Sequence, residues 1–374
     1  MIANGIYRSK VLQFLVIDLP IFLLIFNFIL YAAFGIDGQR TPLRIGAFIL
    51  FICGWIINGE YRVTYLQLFT IFLLIVMILL QGTDALNFLA VFIFAFATKI
   101  DLKRLVKKVF NINLLLIVFM LVCIYAGMAV NSTYTDSVGR VRSTMGFINP
   151  NAGSMFYCSA IYLYILSRDK IRIRDYIIAL AGNFLIFSFS NSRTPFVAVC
   201  LFLLMIPIFN RVISKPVIKL GVCAFNDFIW VLGVISLFIL DMFSGFNDIL
   251  SNRINLFMEL VNQFGIWGAI IGGTDFQDIT IDNFYLTFLY QNGIFPYLLA
   301  MYLVHTSTRN LAIRKKTRLL AFISSLFLMG VMESSFIRPE IPITLILWKI
   351  LFMPYSLRDS NKLKGRVSEE NAIM

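Results

Sequence analysis

Runs of roughly 18 to 22 mostly apolar residues recur along the sequence, about the length a helix needs to cross ~30 Å of hydrocarbon. This periodic blocking constrains the fold more than any other feature, because only helices or closed barrels satisfy their backbone groups inside lipid. The blocks predict spans at 11–34, 42–58, 64–81, 85–98, 110–130, 151–167, 176–190, 195–209, 217–240, 283–304, 319–333 and 341–357. The fold class expected is therefore an all-α integral membrane protein, a polytopic bundle of about twelve transmembrane helices forming one membrane domain over 1–374. Composition agrees, since 59% hydrophobic and 14% charged residues leave too little polar surface for a soluble domain. No small-residue cleavage site follows the first block, which is expected to be retained as a span.

The connecting segments form two alternating sets. One holds the N-terminus, 59–63, 99–109, 168–175, 210–216, 305–318 and the C-terminal tail and, with the span-edge residues Lys219 and Lys349, 25 of the 32 Lys and Arg residues. The other holds 35–41, 82–84, 131–150, 191–194, 241–282 and 334–340, with the remaining seven basic residues. Positive-inside bias places the first set, and both termini, in the cytoplasm. It also accounts for the net charge of +12 without nucleic acid, because the basic residues lie in loops between spans. Five cysteines lie inside or at the edge of apolar segments, lack metal-ligand spacing, and read as small core residues.

All seven outward basic residues are arginine: Arg40, Arg44, Arg140, Arg142, Arg193, Arg253 and Arg338. Topology asks only that positive charge be rare outside, whereas arginine adds a planar fork suited to phosphate or carboxylate. Four inward-running spans also open with a proline beside an outward arginine: Arg40-Thr41-Pro42, Asn149-Pro150-Asn151 after Arg142, Arg193-Thr194-Pro195, and Arg338-Pro339-Glu340-Ile341-Pro342. Proline suits the first helical position, and Thr or Asn before it is a good cap. Such starts aim helix dipoles and unpaired N–H groups outward, which with arginines makes an anion site. The plainer alternative is that these prolines merely open helices and the arginines snorkel.

Two outward loops exceed what a turn needs. The loop 131–150 carries Asp136, Arg140 and Arg142. The loop 241–282 has apolar residues at Ile254, Phe257, Met258, Val261 and Phe264, spacing that predicts an amphipathic helix on the outer surface. Among carboxylates, Glu333 lies at the outer end of the eleventh span and Asp282 immediately precedes the tenth, where a helix cap is the competing reading. Asp18 and Asp227 lie inside spans one and nine, where core contact, an arginine partner or an ion path are the alternatives.

The stretch from Arg140 and Arg142 through Gly146 and Phe147 to Asn149-Pro150-Asn151 resembles an element of the Wzy-type O-antigen and capsule polymerases. Asn191-Ser192-Arg193-Thr194 is similar to their short turn, and Ser251-Asn252-Arg253 with Asp282-Asn283-Phe284-Tyr285-Leu286 resembles the borders of their large external loop. The resemblance implies a glycosyltransferase of the bacterial plasma membrane that needs no cofactor and no metal. It would pass the growing glycan from a polyisoprenyl pyrophosphate to an incoming lipid-linked repeat unit, with inversion. Arg142, Arg193 and Arg253, then Arg140, fall at the family's positions; Arg338, Asn149 and Asn151 complete the expected pyrophosphate-binding set. Glu333, then Asp282, would serve as general base. Implied partners are lipid-linked oligosaccharide repeat units, membrane lipids, a chain-length regulator and a flippase. The sole histidine, His305, falls in the cytoplasmic set, which departs from the ligases with their outward histidine. A flippase for the same lipids and a ligase-type transferase are the alternative functions.

Overall fold

A computed structural model describes residues 10–36, 40–57, 72, 76, 86–98, 100–135, 139–239, 253–274, 282–334, 336 and 338–352. The expected span 64–81, Asp136, the loop segment 241–252 and the C-terminal tail lie outside or almost outside these residues, as do the side chains of Arg40 and Arg253. The described chain is mostly helical. Helix α1 comprises Lys10–Gln13, a π turn at Phe14–Asp18 and Leu19–Ala32. Then follow α2 (Arg40–Ile57), α3 (Leu86–Ala97), α4 (Leu102–Tyr125) and a hairpin of β1 (Thr133–Thr135) with β2 (Val141–Ser143). After it come α5 (Pro150–Ser167), α6 (Ile173–Ser190), α7 (Arg193–Val212), α8 (Pro216–Ile239), α9 (Arg253–Ile271), α10 (Phe284–Asn292), α11 (Ile294–Ile313), α12 (Thr317–Gly330) and α13 (Pro342–Phe352).

Among the described residues, five helices are long and apolar enough to cross a membrane: α1, α4, α6, α7 and α8. Three further apolar helices, in α2, α12 and α13, are shorter. Their lipid-type faces are plain in α6, where Ile177, Ile178, Phe184, Leu185 and Phe189 are exposed while Ala179 and Asn183 are buried. Helix α5 is the opposite case. Its residues are buried on nearly every side, from Gly153 to Leu166, as expected of a helix at the centre of a bundle.

The contacts between connecting segments sort them into two ends. At one end Lys103 pairs with Asp169, the Arg318 guanidinium donates to the Arg168 carbonyl, and the Lys349 ammonium donates to the carbonyls of Ala95 and Thr98. At the other end the Ile148 N–H donates to the Ala32 carbonyl (2.7 Å), Asn283 donates to the Val331 carbonyl (3.2 Å), and Arg44 pairs with Glu340. Of these, only Lys103–Asp169 and Arg318–Arg168 join two connecting segments of the sequence alternation, both of the first set; the others involve residues at the edges of expected spans.

Three boundaries differ from expectation. Helix α4 begins at Leu102, inside the expected loop 99–109, because Asp101 caps it by accepting from the Lys103 and Arg104 N–H groups (3.1 and 3.4 Å). The expected span 283–304 is broken into α10 and α11 at Gly293, whose φ is +82°. A Cβ there would lie 2.7 Å from the Ile271 carbonyl oxygen, so the end of α9 packs directly on this corner. The amphipathic helix expected around 252–265 begins at Arg253, and a break at Gly265 (φ +60°) lets it continue to Ile271. Its buried stripe is Phe257 and Leu260, with Met258, Val261 and Phe264 packed beside it.

Of the two intramembrane aspartates, Asp18 accepts from the Lys108 ammonium at 2.6 Å through both oxygens. Asp227 meets His305 Nδ1 at 2.8 Å. Both are paired with a basic side chain of another helix, though with none of the outward arginines.

Candidate functional site

The loop 131–150 is folded before it reaches the helices. Tyr134 pairs with Arg142 across the hairpin, and Ser143 Oγ donates to Asn131 Oδ1 (2.7 Å). The chain then turns through Met145 and Gly146, with φ of +51° and +84°. At Gly146 a Cβ would come 2.7 Å from Ile124 Cδ1, so both conformation and space favour glycine. Phe147 is buried, and its ring packs on Phe28 and Phe156 at centroid distances of 5.9 and 5.4 Å. The loop is thereby pinned to α1 and α5.

Helix α5 starts as its sequence indicates. Asn149 caps it by accepting from the Asn151 N–H (2.7 Å), and Pro150 occupies the first turn. The other expected threonine caps are absent, because α2 and α7 begin two residues earlier than expected, at Arg40 and Arg193. Between α6 and α7 the turn is minimal. Asn191 takes the left-handed conformation (φ +49°, ψ +31°), which asparagine tolerates better than most residues, and Ser192 is buried.

Arg142 joins these pieces. Its Nε donates to the Ser190 carbonyl (3.1 Å), and Nη2 donates to Asn151 Oδ1 (2.6 Å) and Ser192 Oγ (2.7 Å). Ser192 Oγ also donates to Asn151 Oδ1 (3.1 Å). The two sequence motifs, about fifty residues apart, thus meet through one half-buried guanidinium, which leaves Nη1 without an acceptor among the described residues. Electrostatically, Arg142 lies between the negative end of α6 and the positive starts of α5 and α7. Arg193 has no such balance. It is exposed at the first position of α7, and its side chain makes no hydrogen bond or ion pair among the described residues. A cation at the positive end of a helix is the arrangement that an anion would relieve.

The other expected residues fall around this corner unequally. Arg140 is half-buried at the start of β2. The backbone of Arg253 opens α9. Glu333 is buried just beyond α12, with 5% exposure. Asp282 is half-buried, but it does not cap α10. That cap is Asn283, whose Oδ1 accepts from the Leu286 N–H (3.0 Å). Arg338 lies apart from Arg142, lining a small cavity with Asn27, Phe28, Tyr31 and Glu340.

Sequence reading missed Ser190 and Ser192 as partners of Arg142, and it gave no role to Glu340. Serine flanking a short turn is too common to single out. Glu340, enclosed between Pro339 and Pro342 at the outer end of an apolar block, carried the same signal as Glu333. No protein-family model, curated protein or solved structure matches the chain.

Proposed function

We propose that this chain is a membrane glycosyltransferase that polymerises lipid-linked repeat units at the outer face of a bacterial plasma membrane. In this reading the bundle has about twelve spans, both termini are cytoplasmic, and the end bearing Arg142 faces outward. The observation that carries it is the corner where Arg142, Arg193 and the starts of α5 and α7 converge with no carboxylate paired to either arginine among the described residues. Such a corner suits a doubly charged, oxygen-rich leaving group. The likeness of these motifs to Wzy-type polymerases supplies the identity of that group, a polyisoprenyl pyrophosphate.

The chemistry then needs little machinery. The acceptor hydroxyl attacks the anomeric carbon, the new C–O bond forms as the bond to the pyrophosphate oxygen breaks, and the electron pair leaves with the pyrophosphate. Arg193 and the Nη1 edge of Arg142, with Arg140 two residues from Arg142 and Arg253 from the long loop, stabilise the charge that develops there. The hydroxyl proton passes to a carboxylate, with Glu333 first and Asp282 second. The activated donor supplies the energy, so no nucleotide is required. Purified protein in liposomes, given only lipid-pyrophosphate-linked repeat units, is expected to make a ladder spaced by one unit. Labelled lipid crossing the bilayer without a ladder would instead identify a flippase.

A further inference from the structure

A second built feature lies at the same end of the bundle. Arg44 on α2 and Glu340 before α13 form a buried ion pair across 296 residues of sequence, with exposures of 8% and 3%. Only one Glu340 oxygen is used. Oε2 is buried and has no hydrogen-bond partner among the described residues. Glu340 lines a small cavity with Arg338, Asn27, Tyr31 and Phe28. Asn27 and Tyr31 stand one turn apart on α1 and so share a face. Arg338 makes no side-chain hydrogen bond or ion pair among the described residues.

These groups specify the ligand. An unused carboxylate oxygen needs a donor, and an unpaired guanidinium needs an acceptor. A phosphate or carboxylate would satisfy Arg338 and repel Glu340, while an ammonium would do the reverse. A hydroxyl does both jobs with one atom. The space holds about one water-sized group, which admits a hydroxyl and excludes a sugar ring. Phe28 forms one wall, and its ring also packs on Phe147 (5.9 Å) and Phe156 (6.1 Å), the aromatic cluster beneath the Arg142 loop. Phe28 thus links the cavity to the ring cluster that pins the Arg142 loop.

We propose that this cavity is a subsite for one hydroxyl of the acceptor sugar, with Glu340 Oε2 accepting its proton in a hydrogen bond and Arg338 donating to its oxygen. It rests on the polymerase reading and adds an acceptor-positioning residue that the sequence did not indicate. Glu340 acts here by holding substrate, and its bond to Arg44 fixes the angle at which it does so.

The test uses full-length protein in liposomes with lipid-linked repeat units as substrate and undecaprenyl pyrophosphate as competing probe. Glu340→Gln retains an oxygen for Arg44 and turns the unpartnered acceptor into a donor. Arg338→Ala removes a side chain that bonds nothing among the described residues, so it should fold. Both variants are expected to raise the KM for the acceptor unit at least tenfold. Inhibition by undecaprenyl pyrophosphate should stay within about twofold of the unmodified protein, since the pyrophosphate corner is untouched. A ladder from the unmodified protein with unchanged acceptor KM in both variants overturns the subsite alone. Weakened pyrophosphate inhibition in Arg338→Ala also overturns it, by assigning that arginine to the donor. No ladder from the unmodified protein overturns the polymerase reading and the subsite together.

Discussion

Substituting Arg142 by lysine keeps the charge and removes the fork. In the structure one guanidinium makes three hydrogen bonds, to the Ser190 carbonyl, Asn151 Oδ1 and Ser192 Oγ. A lysine ammonium reaching the same corner can keep about one of them. Hydrogen bonds to a charged donor contribute about 1.5–3 kcal/mol each, and a half-buried site belongs at the low end, so losing two removes roughly 3 kcal/mol. Little of this should appear as global unfolding, because the network closes a surface corner while α5 and α7 are packed along their whole length. The loss should fall on local opening of the turn 190–193, and hence on the placement of Arg193. If all of it reached the transition state, transfer would fall by roughly a hundredfold at 1.36 kcal/mol per decade. The expected result is a fall in kcat/KM of about thirtyfold or more, faster amide exchange at Ser192 and Arg193, and a melting temperature within about 3 °C of the unmodified protein. A well-folded Arg142→Lys protein with undiminished activity and unchanged exchange would refute the reasoning.

Other positions give independent checks. Gly293→Ala places a methyl 2.7–2.9 Å from two backbone carbonyl oxygens of α9, at a φ of +82°, so folded yield in detergent should collapse; a normal yield and melt would contradict the α9 contact. Asn191→Gly should leave stability unchanged or slightly raised, whereas Asn191→Ala should lower it by about 1 kcal/mol, because the residue sits at a φ of +49°. At the other end, the Lys103 ammonium holds the exposed Asp169 carboxyl below its ordinary range. A depressed folded value means the pair's contribution is present above the unfolded carboxyl pKa of about 3.9 and fades as pH falls through the folded one. Being exposed, it should be nearly worthless, so Lys103→Ala melting should match the unmodified protein between pH 5 and 8.

What the sequence revealed depended on how local the signal was. The start of α5 was legible because Asn149 and Pro150 carry cap and first-turn chemistry within three residues. The charge bias between connecting segments was legible because it accumulates over many positions. The break between α10 and α11 was hidden, since a single Gly293 in an apolar run is compatible with a continuous helix and only the approach of Ile271 explains it. The early start of α4 was masked by four basic residues that read as loop yet are good helix formers behind the Asp101 cap. The outward arginines could be selected as a class, but their division of labour could not be read. That Arg142 braces a turn, Arg193 stands unpaired and Arg44 pairs with Glu340 depends on contacts spanning 48 to 296 residues.

The central claim is that the Arg142–Arg193 corner holds a pyrophosphate, and equilibrium binding of undecaprenyl pyrophosphate to protein in nanodiscs tests it most directly. Saturable binding is expected, weakened at least tenfold in Arg193→Gln and falling with rising salt. Equal affinity in the two proteins, or binding indifferent to salt, would contradict it.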